Sequence, residues 1–309
     1  MTRLITIDSG TTNTRLCLVE NGRILQTLSF PVGATKSVDN KTLLAATIQN
    51  GIRTLLQNYD LQETDIPCVI CCGMITSEFG LVNLPHIPLP AGISELRRGM
   101  YRCNIPEISS IPFVFIRGIK TDFETLEKAD VMRGEETEIM GIFAGPGLYI
   151  LPGSHNKIIT VDENCRITDF RTTLTGEMLQ AIAGNTILKD AVTLDDYEIS
   201  EEDLLEGYHY ARTHGISEAL FKVRVLKNHF HKTKAAVYSF YLGALLQCEV
   251  DNMIAAPAQN IYIGGKQAIK NALALLLRAR SDKAVTVIPD NIAAHSMVKG
   301  MYKLYKGEN

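Results

Sequence analysis

The chain has 309 residues, 46% of them hydrophobic and 21% charged, with a formal net charge of −3. That length suits two domains of roughly 150 residues each, and the composition is that of an ordinary globular protein. No Lys/Arg run is dense enough for nucleic acid or an anionic membrane, and no apolar run reaches the roughly 18 residues that a membrane span requires.

The first strand, "LITIDS", runs into Gly10-Thr11-Thr12-Asn13, and the chain then resumes a second strand, "TRLCLV". A glycine turn after a strand commonly marks a phosphate site. The Walker and dinucleotide loops both open a helix, however, and this turn opens a strand. No basic stretch leads into an apolar one here, and Asp8 interrupts the first strand, so the segment does not read as a signal peptide. "DNKTLLAATIQNGIRTLLQNY" has an Asx start and Leu44, Ile48, Ile52, Leu55 and Leu56 at helical spacing. Cys68, Cys71 and Cys72 lie in "CVICC", an apolar run with no second pair at zinc-like spacing, which predicts a buried strand rather than a metal half-site. Seven scattered cysteines fit reduced thiols in a cytoplasm. "GLVNLPHIPLPAG" reads as loop or edge strand, and "RGEETEIMGIFAG" as a short helix ending at Gly145. Downstream, "TGEMLQAIAG", "TKAAVYSFYLGALLQCEVDNMIA", "KQAIKNALALLLRAR" and "NIAAHSMVKGMYKLYK" read as helices. "NIYIGG" and "AVTVIP" read as strands. The class is α/β with mixed sheets.

An internal repeat organises these elements. Shifted by 143 residues, "LITIDSGTTNTRLCLVENGRI" lies over "GLYILPGSHNKIITVDENCRI" without a gap, with seven identities in 21 positions. Gly10 meets Gly153 and Asn13 meets Asn156, while Glu20, Asn21, Arg23 and Ile24 meet Glu163, Asn164, Arg166 and Ile167. Each half therefore begins with an antiparallel three-strand meander. Two related domains are expected, each presenting its first turn to a shared cleft.

A turn of Gly10-Thr11-Thr12-Asn13 exposes backbone N–H groups and two hydroxyls, a donor surface suited to phosphate oxygens. Asp8 at its lip places a carboxylate where Mg²⁺ is held directly or through water. Gly153, Ser154, His155 and Lys157 of "PGSHNK" supply a second such turn, with Lys157 as a point charge and His155 as a donor to phosphate. Taken singly, each is an ordinary surface hairpin; paired in one register, they read as a polyphosphate clamp. Gly264 and Gly265, ending a strand before a helix, let the backbone approach a flat ligand such as adenosine.

"IDSGTTNTR", "PGSHNK" and "IGG" in this order resemble the two phosphate motifs and the adenosine motif of the sugar kinase, actin and chaperone ATPase superfamily. More specifically, "VMRGEET", "LPGSHNK" and "DFRTTLTGE" resemble the signature stretches of the 2-dehydro-3-deoxygalactonokinase family, with "GMITSEFG" and "PDNIAAHSMVKG" extending the likeness along the chain. The resemblance implies two actin-like (ribonuclease H-like) domains, mixed sheets with helices on both faces, and an ATP cleft between them. The expected boundaries are 1–146, carrying the first phosphate motif and the sugar-acid site, and 147–309, carrying the second phosphate and adenosine motifs. It implies ATP and Mg²⁺ as cofactors, phosphorylation of the 6-hydroxyl of 2-dehydro-3-deoxy-D-galactonate, and a cytoplasmic role in galactonate degradation. Alternatives are a kinase of the same superfamily for another sugar or sugar acid, such as 2-keto-3-deoxygluconate, and a non-catalytic ATP-binding actin-like protein. No nucleic acid or membrane partner is expected, and a homo-oligomer is left open.

A sugar-acid kinase must hold a carboxylate, and arginine does so with two parallel hydrogen bonds. Arg133 and Arg171 are the candidates, with Arg117 in "FIRGIK" a third; each alternatively pairs a structural carboxylate. In related sugar kinases the base is an Asp that follows a Gly shortly before the second phosphate turn. Here that place is Gly134-Glu135, 18 residues before Gly153. The longer side chain leaves Glu136 and Asp169 as rivals for the base, Asp169 also being a substrate candidate.

Overall fold

The computed structural model describes residues 2–33, 41–195, 197–265 and 267–307. The expected Asx start at Asp39-Asn40, and Lys266 at the head of the helix after "IGG", lie outside the described residues. The chain forms two compact units. Unit 1 comprises Met1–Gly145, Asp162–Asp169 and Asn291–Asn309; unit 2 comprises Pro146–Val161 and Phe170–Asp290. The halves 1–146 and 147–309 read from the repeat are continuous in sequence, whereas these units interleave.

Unit 1 opens on β1 (Arg3–Ser9), β2 (Thr14–Glu20) and β3 (Arg23–Phe30), followed by α1 (Lys41–Asn58), β4 (Val69–Gly73) and a short β5 (Ile87–Pro88). Then come α2 (Ile93–Arg98), β6 (Tyr101–Ile105), β7 (Ser109–Phe115), β8 (Ile119–Lys120), β9 (Val131–Met132) and α3 (Glu135–Ile142). Six strands form one sheet in the order β3-β2-β1-β4-β7-β6, and β5-β8-β9 form a small second one. The expected meander is β1-β2-β3, antiparallel throughout, with Asn21 (φ 50°) and Gly22 (φ 82°) making the second turn. Both positive φ values match a two-residue hairpin turn, whose twist suits the flanking strands.

Strand alternation divides the work of this sheet. Ile5, Ile7, Leu16 and Leu18 face a core shared with Leu44, Ile48, Ile52 and Leu55 of α1. Each such side chain contributes about 1.5–3 kcal/mol by leaving water. The intervening residues Thr6, Asp8, Arg15 and Cys17 face the other way, and that face carries the polar chemistry. Cys68, Cys71 and Cys72 are buried free thiols at β4, as "CVICC" predicts.

Unit 2 repeats the meander in β10 (Gly147–Leu151), β11 (Asn156–Val161) and, from Phe170 onward, β12 (Ile167–Thr173). It continues through α4 (Thr175–Asn185), α5 (Glu201–His214), α6 (Ile216–Asn228), α7 (Lys234–Ala255), β13 (Asn260–Ile263), α8 (Gln267–Arg280) and β14 (Ala284–Val287). The sheet order is β12-β11-β10-β13-β14, with β10, β13 and β14 parallel. Leu148, Ile150, Ile261 and Ile263 bury one face against Leu204, Tyr208, Tyr241 and Leu273 of the helices.

Two helices end differently from the sequence expectation. α3 stops at Ile142 rather than Gly145, because Phe143 leaves helical geometry at ψ 124°. The single terminal helix is two, α9 (Asp290–Ala293) and α10 (Ser296–Lys306), parted at His295, whose ring Nδ1 donates to Asn291 O at 2.8 Å. In unit 1, α10 lies directly on α3. A Cβ on Gly141 would overlap Ser296 O, and one on Gly300 would overlap Thr137 O. The helices meet backbone to backbone because both positions lack side chains.

Candidate active site

The first turn hangs between Ser9 and Thr14, which face each other at the ends of β1 and β2. Gly10 N donates to Asn13 O at 2.9 Å, closing the turn, and Thr14 Oγ1 donates to Val32 O at 2.7 Å beneath it. Thr11, Thr12 and Asn13 are exposed, with Asn13 Nδ2 donating to Thr12 Oγ1 at 3.0 Å. The turn thus presents hydroxyls and backbone outward, as the sequence suggests.

Asp8 faces Arg15 across β1 and β2 and lines a cavity of about 300 Å³ with Thr6, Cys17, Thr27 and, from α10, Met297 and Met301. Its carboxyl is pushed up to about 6: desolvation raises it, Arg15 lowers it, and Glu135 raises it again. Two glycines bring Glu135 there. Gly73, ending β4, lies so close to β1 that a Cβ would sit 2.6 Å from Ser9 O and 3.4 Å from Asp8 Oδ1. Gly134, at φ 113°, turns the chain into α3 with its own Cβ position 3.5 Å from Gly73 Cα. Any other residue would be strained at that φ.

Three glutamates crowd the first turn of α3. Glu136 is fully buried; its Oε2 accepts from Gly134 N at 2.7 Å and its Oε1 from Thr137 Oγ1 at 3.0 Å. It therefore caps its own helix, and burial, then the Glu135 charge, push it up to about 8. Glu138 rises to about 7 by burial and the same Glu135 charge, offset by a bond from Ser296 Oγ at 3.2 Å. Glu135 is half-buried, and its charge acts on Asp8, Glu136 and Glu138 alike. Among the described residues, no three acidic, histidine or cysteine side chains converge as a metal ligand set. A lone Asp8 nonetheless suits Mg²⁺, which keeps several waters and takes one or two carboxylates plus phosphate oxygens.

The second turn, in unit 2, is anchored from behind. Asn156 Oδ1 accepts from Gly153 N at 3.2 Å, and its Nδ2 donates to the buried Glu249 of α7 at 2.9 Å. Thr173 and Thr175 also donate to Glu249, so one carboxylate ties β11, β12 and α4 to α7. α4 begins against the turn: Glu177 N donates to Ser154 O at 2.9 Å, and a Cβ on Gly176 would overlap Gly153 O. Gly265, at φ 77°, presses on Pro152, and Gly264 N donates to Ile150 O at 2.9 Å. Unit 2 thus brings Gly153, Ser154, Gly264 and Gly265 together. His155 is half-buried and pairs with Glu177 at 3.0 Å. Lys157 is buried, and its Nζ donates one of its three N–H groups to Thr172 Oγ1 at 2.7 Å.

The sugar-acid candidates divide. Arg133 donates Nη1 to Thr76 Oγ1 at 2.9 Å and Nη2 to Leu84 O at 2.8 Å, which aims the guanidinium without neutralising it. Asp169 and Arg171 are exposed on β12. Sequence reasoning missed Glu249, because its partners lie 74 to 93 residues away in the chain.

Paired meanders, each ending its first strand in a glycine turn, on mixed sheets with covering helices, make this an actin-like ATPase fold of the kind sugar kinases use. Component A of the (R)-2-hydroxyglutaryl-CoA dehydratase of Acidaminococcus fermentans shares it at a TM-score of 0.53 and 14% identity, over 99% of both chains. A Sinorhizobium meliloti structure provisionally described as a 2-dehydro-3-deoxygalactonokinase matches at a TM-score of 0.80 and 22% identity, over 98% of each chain. The 2-keto-3-deoxy-galactonokinase family model matches residues 8–301, and the chain belongs to that family of kinases. It is 27% identical over 295 residues to the 2-dehydro-3-deoxygalactonokinase of Escherichia coli (strain K12), spanning 94% of this chain and 92% of that one. Among the described residues, no helix is long and apolar enough to cross a membrane.

Proposed function

We propose that the chain transfers the γ-phosphoryl group of ATP to the 6-hydroxyl of 2-dehydro-3-deoxy-D-galactonate, a step of galactonate breakdown. The observation that carries this reading is Glu135, half-buried on the first turn of α3 with its charge bearing on Asp8. The hydroxyl oxygen bonds to the γ-phosphorus as the bond from that phosphorus to the ADP oxygen breaks, and Glu135 takes the hydroxyl proton late. Glu136 is poorly suited to that role, because both its oxygens serve the start of α3. Asp8 holds Mg²⁺, which when bound neutralises charge on the phosphates.

Residues 1–146 carry the first phosphate turn (Gly10, Thr11, Thr12 and Asn13) and the sugar-acid site. Residues 147–309 carry the second (Gly153, Ser154, His155 and Lys157), with Gly264 and Gly265 at the adenosine. A reducing, cytoplasmic setting suits seven free cysteines. A coupled assay of ADP release tests the reading across 2-keto-3-deoxygalactonate, its gluconate epimer, galactonate and neutral hexoses. Turnover is expected with the first. Equal or faster turnover of neutral hexoses overturns the sugar-acid assignment, and preference for the gluconate epimer reassigns the substrate.

A further inference from the structure

Beside the acids, unit 1 carries a cluster of opposite charge that phosphoryl transfer itself leaves unused. In the small sheet, Ile87 pairs Ile119 and Ile119 pairs Met132. One position along lies a row of His86, Gly118 and Arg133. Ile87 N donates to Gly118 O at 2.9 Å, and a Cβ on Gly118 would lie 2.5 Å from Arg133 Cγ and 3.0 Å from His86 Cδ2. The missing side chain lets imidazole and arginine close over that strand. Lys120 follows two residues on, hence on the same face of β8 as Gly118. Arg117 precedes it, steered by a bond from its Nε to Pro85 O at 2.6 Å.

Burial first, then the charges of Arg133, Lys120 and Arg117, keep the His86 ring neutral, lowered to about 4. Among the described residues, none of the three cations has a carboxylate within ion-pair distance. Glu136, whose charge reaches Arg133, is committed to the backbone of α3. His86 Nε2 is shielded from water and has no partner among the described residues. Three cations around a water-poor spot repel one another, and one carboxylate relieves all three. A ring protonated on Nε2 gives that carboxylate a further donor.

Placement fits the same ligand. Arg133 and Glu135 are two residues apart, so their Cα atoms lie within about 7 Å. A six-carbon sugar acid has its carboxylate at one end and its terminal hydroxyl at the other, and unit 1 offers cations and an acid in that order. We propose that the substrate's carboxylate sits on this row, with Arg117 and Lys120 as specificity-determining residues beside Arg133. The assignment rests on the sugar-acid kinase reading above.

The test is steady-state kinetics of Arg117→Met, Lys120→Met and Lys120→Arg, with 2-keto-3-deoxygalactonate and with its carboxamide. Removing one charge-assisted contact is expected to raise KM for the acid about tenfold or more. KM for ATP and kcat should stay within about twofold, and Lys120→Arg should recover most of the loss. The carboxamide should bind the wild type poorly and be nearly indifferent to the Met variants. An unmoved KM for the acid in both Met variants, or an equal rise for acid and ATP, overturns the proposal and returns Arg171 as the carboxylate's partner. Lys120 is only half-buried, so its variants keep the test open if Arg117→Met does not fold. A wild type that phosphorylates neutral sugars but no sugar acid overturns the functional reading, and the role of this row with it.

Discussion

The two glycine turns share a pattern, yet a different acid stands beside each. The first carries Asp8 at its lip, desolvated and raised to about 6. In the repeat, Leu151 stands where Asp8 stands, so the second turn has no carboxylate of its own on the incoming strand. Its acid is Glu249, which arrives from α7 and accepts three side-chain hydrogen bonds from beneath. Both turns keep a glycine and an Asn three residues on, while the acid beside each differs. One copy has a desolvated carboxylate on its own strand; the other recruits one from a helix as an anchor.

The largest effect that would break this contrast is loss of turnover. Asp8→Asn and Glu135→Gln are each expected to lower kcat by roughly two or more orders of magnitude while ATP and the acid still bind, read by rates and by calorimetric binding. Glu136→Gln should be milder. Near-normal rates for Asp8→Asn at limiting Mg²⁺ would make the first acid architectural as well. A catalytic defect in Asp169→Asn alongside an active Glu135→Gln would move the base to Asp169.

Next comes stability in unit 2. Glu249→Ala strands Asn156, Thr173 and Thr175 and should cost about 2–4 kcal/mol in urea unfolding. If unfolding is unchanged and only the KM for ATP moves, the second acid is functional and the contrast collapses.

A smaller effect sharpens the first acid. The folded-state value of Asp8, raised to about 6, lies above its ordinary range, so the native state binds this proton more tightly than the unfolded chain does. Its stabilising contribution is full below about pH 4 and is lost as pH rises through about 6. Asp8→Asn should therefore melt later than the wild type at pH 8, by about 1–2 kcal/mol after allowance for partial exposure. A variant that melts earlier at pH 8 would show Asp8 to be held by Arg15 rather than opposed by burial.

The smallest effect concerns His155. Its pair with Glu177 is exposed, so His155→Ala should change unfolding by less than about 0.5 kcal/mol. A threefold or larger rise in KM for ATP, roughly what one hydrogen bond supplies, would make the ring a phosphate donor.

Much of this was legible because the signals are local. The meanders announce themselves through alternation and their Asn21-Gly22 and Asn164-Cys165 turns, α1 through its apolar spacing, and "CVICC" through its unbroken hydrophobicity. α5 and α6 escaped notice, although Ser200 caps α5 by accepting from Asp203 N, because polar residues dominate between their buried positions. The break between α9 and α10 follows from a histidine bonding its own helix, which no period reveals. Glu135 could be named from its neighbours in sequence. Arg117 was a candidate by residue type alone, but Glu249, His86 and Lys120 could not be named, since residues far apart in the chain meet only once the sheets have formed.

The seam between α3 and α10 has a consequence for how the molecule is made. Thr137, Gly141, Ser296 and Gly300 place the two backbones in direct contact, so α10 is a wall of the helix that carries Glu135. On the ribosome, residues 296–306 emerge only after the whole of unit 2 has been translated. The sheet built first must therefore wait, with α3 lacking its partner helix, through the synthesis of roughly 150 further residues. A nascent chain halted near residue 290 would hold both glycine turns and every residue assigned to phosphate, yet the helix that carries Glu135 would lack α10. Activity is thus tied to completion of translation, and a ribosome-stalled series should show ATP binding before it shows turnover.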